Sequence, residues 1–242
     1  MKRWTTLIGG GIGWALGGPI GLILGAALGN SLSDLFTETP GTKSRPHQRG
    51  EQDFHASLLI LASVVIKADG QVDERELSFV REHFKRWFGE EKAQSSFKAF
   101  KKVVQEKPAI TQICQQVRRH MSLQGRIQVV AFLFGLAHSD GTMTPEERQQ
   151  IARIAGYLGI HPQDFQRLEA VHKPSGPSPF EVLGVSADVS ERDLKKTYRS
   201  LVKKYHPDAL QGMGEDVVKE AEATFRKIQS AYEAICKQRG IK

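Results

Sequence analysis

Pro207 stands at the end of a run that would otherwise continue as helix, and it forces the chain to stop and turn there. Upstream, Leu194, Tyr198, Leu201, Val202 and Tyr205 fall on one apolar face. Lys195, Arg199 and Lys203 recur every four residues, with Lys196 and Lys204 beside them. The proline ring fixes its own φ and pushes His206 out of the α region, so His206-Pro207-Asp208 occupies the connection to the next helix. Downstream, Ala221, Phe225, Ile228, Tyr232 and Ile235 alternate spacings of four and three, the seam an antiparallel partner needs. A helical hairpin with a basic face and a stiff polar turn is predicted.

A short helix precedes it. Ser178-Pro179-Phe180-Glu181 reads as an N-cap, a proline at the first helical position and a Glu that closes a capping box, and Gly184 ends the segment. Ser190 and Asp193 open the basic helix in the same way. With three helices and the signature turn between the second and third, residues 178–242 resemble the J-domain of DnaJ-type co-chaperones. Ala209 departs from that pattern, since a lysine commonly follows the signature. The resemblance implies a binding role: His206, Pro207 and Asp208, with Lys195, Lys196, Arg199, Lys203 and Lys204, would contact a DnaK-type chaperone and accelerate its ATP hydrolysis, with no catalytic group supplied. An exposed Asp208 suits a bidentate arginine, and the lysine stripe suits an acidic surface. His161-Pro162 is followed by Gln163 and Asp164, has no basic helix before it, and reads as a helix start only.

Charge locates the remaining parts. The net charge of +7 is concentrated outside residues 51–172 and 178–242, which are each close to neutral. That weakens a nucleic-acid reading, which needs a basic face on a folded domain. From Trp4 to Ser33 no side chain is charged, long enough to cross a hydrocarbon core of about 30 Å. Within it Gly9, Gly13, Gly17, Gly21, Gly25 and Gly29 recur every fourth residue, a ridge along which two helices can approach closely and form a homodimer. Gly18-Pro19 would kink this span or fold it into a re-entrant hairpin.

Residues 51–172 read as all helix, with apolar periods from Phe54 to Val65, Phe79 to Phe84, Phe97 to Val104, Ile110 to Val117, Val129 to Phe134 and Ile151 to Leu158. Two segments repeat at an offset of 71, one running from Ala68 to Glu76 and the other from Ser139 to Glu147, each after an apolar helix and before an amphipathic one. Two pseudo-symmetric helical halves follow. These helix-Asp-Gly-turn-helix units resemble the TerB family of tellurite-resistance domains. A membrane anchor, a TerB-like domain and a J-domain in that order resemble the DjlA-type co-chaperones.

Asp69, Asp73, Glu76, Asp140, Glu146 and Glu147 crowd the two repeated turns. As caps, Asp73 with Glu76 and Thr144 with Glu147 would open the following helices. A second reading makes the cluster, chiefly Asp69, Asp73, Glu76, Asp140 and Glu147, a hard-cation site, although nothing acidic stands at position 71 as an EF-hand loop would require. Nothing reads as an enzyme active site: no Walker loop and no dinucleotide spacing occurs, and Cys114 and Cys236 are too isolated for a zinc or redox pair.

The expectation is an all-α chain with an anchor at 1–36, a linker at 37–50, a TerB-like domain at 51–172, a linker at 173–177 and a J-domain at 178–242. The resemblance implies a single-pass protein of the bacterial inner membrane, its C-terminal domains cytoplasmic. Its partners would be a DnaK-type chaperone, unfolded or membrane-associated clients and the bilayer, with no nucleic acid and no cofactor. The alternative is a membrane-bound stress scaffold or divalent-metal-responsive sensor with a degenerate J-domain.

Overall fold

The computed structural model describes residues 57–70, 72–103, 109–174, 176–210 and 215–241. The glycine ridge from Gly9 to Gly29, the linker at 37–50 and Phe54 lie outside the described residues. The described residues are all-α, as the periodicities predict. Helix α1 covers 57–66, followed by α2 (Glu74–Val103), α3 (Ile110–His120), α4 (Leu123–Ala137), α5 (Pro145–Tyr157) and α6 (Pro162–His172). Then come α7 (Pro179–Leu183), α8 (Glu191–Tyr205), a single 3-10 turn at Pro207–Leu210 and α9 (Glu215–Arg239).

Helix α1 and the stretch of α4 from Val129 onward carry almost no polar side chain and are packed inside: Leu58 to Leu61 and Val129 to Leu133 have almost no exposed surface. A helix without a polar face can only sit inside a core. They occupy equivalent places in the two sequence halves, and the turns that follow repeat bond for bond. The Ala68 amide donates to the Val65 carbonyl at 2.8 Å and Ser139 to Leu136 at 2.9 Å; Gly70 donates to Lys67 at 3.2 Å and Gly141 to His138 at 3.1 Å. Gly70 and Gly141 take φ values of 81° and 108°, which side chains with a Cβ resist. The apolar period from Phe79 to Phe84 and the described part of the one that starts at Phe97 lie in one element broken at Gly89, where φ 76° and ψ 164° interrupt the helical path.

The three C-terminal helices close on each other through Leu194, Leu201, Tyr205, Ala221, Ile228 and Ile235, all buried. Tyr198 and Tyr232 stack across the seam with ring centroids 3.9 Å apart and planes 7° apart. Gly184 caps α7 in the left-handed region at φ 63°. Arg239, in the last turn of α9, donates to the Val189 carbonyl at 2.6 Å and to that of Ala187, tying the end of α9 to the loop before α8. Buried apolar residues of α1 to α6 and of α7 to α9 join in one continuous core.

Candidate functional site

The end of α8 carries the candidate site. Ser190 caps the helix through the Asp193 amide at 3.1 Å, and His206, with ψ 129°, ends it. Pro207 and Asp208 enter the 3-10 turn, with His206 immediately before it. His206 Nδ1 accepts from the Asp208 amide at 3.3 Å and lies 3.5 Å from Asp208 Oδ2. The His206 ring stands edge-on to Phe225 of α9, centroids 5.6 Å apart, while Leu210 is buried beneath the turn. The turn is thus fastened at both ends, and Asp208 keeps 75 % of its side chain exposed, His206 44 %.

Lys196, Arg199 and Lys203 are exposed on the outer face of α8, and Lys195 pairs with Glu191 one turn earlier. Lys204 does otherwise. It reaches into the seam between α8 and α6, where its ammonium is bonded to Asp164 Oδ2. Asp164 also accepts from Arg167 Nη1 at 2.8 Å and faces the Tyr205 hydroxyl at 3.5 Å. The Asp164 and Arg167 side chains are 5 % and 6 % exposed. Burial, with the Asp164 carboxylate alongside, pushes the Tyr205 phenol well above its ordinary range. Arg167 Nη2 continues to the Leu183 carbonyl of α7 at 3.1 Å. His161 caps α6 by accepting from the Gln163 amide at 3.3 Å, so His161-Pro162 does open a helix, and the Asp of that stretch grips the J-domain-like hairpin.

Contacts from α9 also join the C-terminal helices to the preceding ones. Lys227 of α9 donates to the Val171 carbonyl at 2.7 Å, and Glu220 of α9 lies 3.1 Å from His83 Nε2 and 3.7 Å from Arg86 Nη1 of α2. His172, stacked on Phe134, has its imidazole pulled down to about 4 by burial and stays neutral.

The acidic turns are engaged as caps. The Asp73 amide donates to Glu76 Oε2 at 3.1 Å, and the Thr144 amide to Glu147 Oε2 at 2.7 Å, with the Thr144 hydroxyl completing its box. Asp73 accepts from the Arg75 amide and guanidinium, and Asp140 from the Thr142 amide at 3.1 Å. Arg75 Nη1 crosses to the Asp140 carbonyl at 3.0 Å, so the two turns touch. Glu76 and Glu147, each 6 % exposed, meet at this junction. No group of three candidate metal ligands converges among the described residues. The sulfur groups are likewise apart: Cys114 is buried, its thiol pushed up to about 12 by that burial, and Cys236 lies on α9. Among the described residues no helix is long and apolar enough to cross a membrane.

Comparison with known proteins divides the chain in the same order. The family model for tellurite resistance protein TerB matches residues 55–170, that for the DnaJ domain matches 178–240, and that for the co-chaperone DjlA transmembrane domain matches 1–34. The co-chaperone protein DjlA of Vibrio cholerae is 28% identical over 79% of this chain and 80% of its own length. That of Vibrio vulnificus is 24% identical over 87% of both chains, and that of Photobacterium profundum 25% identical over 99% of this chain and 100% of its own. No solved structure matches the chain. Three family domains in this order, with relatives of one name aligned along nearly the whole length, show that the chain belongs to the DjlA-type co-chaperones, with a TerB domain and a C-terminal J-domain.

Proposed function

We propose that this co-chaperone recruits a DnaK-type chaperone to the inner face of a bacterial membrane and stimulates its ATP hydrolysis, acting as a non-catalytic activator. The observation that carries the reading is the exposed Asp208 carboxylate, held on a fastened 3-10 turn directly after a helix with Lys196, Arg199 and Lys203 outward. A fixed carboxylate can accept an arginine from a partner with little ordering cost, and exposed cations steer encounter with an acidic surface. His206 and Pro207 set the turn's shape, and Lys195 extends the basic face. Clients are delivered by the complex, and the N-terminal segment anchors it in the bilayer as one span with the TerB and J-domains cytoplasmic. The glycine ridge from Gly9 through Gly13, Gly17, Gly21 and Gly25 to Gly29 pairs two copies in the membrane.

Recruitment is tested by binding of the full chain in nanodiscs to the ATP-bound chaperone. Asp208→Asn abolishes binding on this reading, whereas retained binding contradicts it. Pairing is tested separately by crosslinking in membranes: Gly17→Leu with Gly21→Leu abolishes the dimer, and an undiminished dimer rules the ridge out.

A further inference from the structure

Lys204 differs from the other cations of α8 because its ammonium is committed inside the protein. Asp164 receives it in a seam where that carboxylate is 5 % exposed and already paired with Arg167. Lys204 is separated only by Tyr205 from His206, and the Tyr205 hydroxyl faces the same carboxylate. The 3-10 turn itself packs against α4 of the TerB domain. Behind Asp164, Arg167 reaches the α7 carbonyl of Leu183, so one ion pair of the TerB domain grips both the first and second helices of the J-domain.

This contact leaves the activating surface open. Asp208 and His206 remain exposed, and Lys196, Arg199 and Lys203 point outward. A buried carboxylate with two cationic partners is costly to separate, because Asp164 or Arg167 left alone would be an uncompensated buried charge. The seam is therefore a fixed mount.

Resting on the function proposed above, we infer that Asp164, backed by Arg167, is a positioning residue for chaperone activation: through Lys204 it sets the attitude of the His206-Pro207-Asp208 turn, and Lys204 serves activation by this internal contact.

The test uses the full chain in nanodiscs with Asp164→Asn, Lys204→Gln, the double variant and Lys203→Gln. Hydrogen exchange at the amides of Asp208, Ala209 and Leu210 reads the turn without any chaperone, while amides of α4 report whether the fold is intact. Asp164→Asn and Lys204→Gln each speed exchange in the turn by about fivefold or more with α4 unchanged, and Lys203→Gln leaves it alone. Single-turnover ATP hydrolysis falls to a similar extent in both variants and no further in the double. Lys204→Gln keeps the Asp164–Arg167 pair and decides the matter if Asp164→Asn unfolds the protein. Unchanged exchange in the turn overturns the inference, as do losses that multiply in the double variant, which would place Lys204 on the chaperone itself. If the natural chain does not stimulate at all, the proposed function fails, and the exchange data still decide whether Asp164 holds the turn.

Discussion

Glu76 and Glu147, the third residues of two helices at equivalent places in the repeat, each accept from the amide that precedes the helix and meet in the interior of the TerB domain. Burial pushes the Glu76 carboxyl up to about 8, opposed by the bond from the Asp73 amide and reinforced by the charge and hydrogen bond of Glu147 and by Asp69. At neutral pH Glu76 therefore keeps its proton. Because the folded state holds that proton more tightly than the unfolded chain, its contribution to stability is fully present below about 4.5 and is lost as pH rises through about 8. Unfolding free energy measured by denaturant titration falls across that window by on the order of a few kcal/mol, and Glu76→Gln flattens this component. A profile that is equally steep in the variant would show that Glu76 is not the group responsible.

Gly184 serves two demands at once. Its φ of 63° favours glycine, and a Cβ built there would stand 2.8 Å from Arg167 Nη2. Gly184→Ala is expected to destabilise the chain by about 1–2 kcal/mol for the backbone alone. It also displaces Arg167 from the Leu183 carbonyl. Thermal unfolding checks the first effect, and faster exchange at the α7–α6 seam checks the second.

Arg239 holds the last turn of α9 to the Val189 and Ala187 carbonyls and lies 5.5 Å from the Phe180 ring centre. Arg239→Ala removes bonds to two carbonyls and the guanidinium's packing on Phe180. A loss of about 1–3 kcal/mol is expected, read from chemical denaturation.

Lys196, Arg199 and Lys203 sit in water on the outer face of α8. Replacing all three with Gln is expected to slow association with a DnaK-type chaperone by about tenfold or more at low salt, and to flatten the dependence of that rate on ionic strength. Folding stability changes little, because exposed charges contribute little to it. Stopped-flow association at two salt concentrations checks the rate.

The J-domain was legible because its signals are local. Ser178 with Glu181, Ser190 with Asp193 and the proline at 207 act within a few residues, and the structure places each cap and stop where those residue types require. The repeat in the TerB domain was legible for the same reason: equal turns at an offset of 71 fold equally. The grip of Asp164 on Lys204 was not. His161-Pro162 reads correctly as a helix start, yet nothing in local spacing says which carboxylate on α6 will face α8, since the two residues meet only after both domains have docked. Glu76 and Glu147 were visible as caps, and as candidate oxygen ligands. That they would meet follows only from the symmetry of the folded halves.

On the function proposed above, Asp208 on its fastened turn activates a DnaK-type chaperone. Single-turnover ATP hydrolysis by such a chaperone, with the full chain in nanodiscs and with its His206→Gln and Asp208→Asn variants, tests it most directly. Acceleration by the natural chain and none by either variant is expected. Equal acceleration by the Asp208→Asn protein, or none by the natural chain, would contradict it.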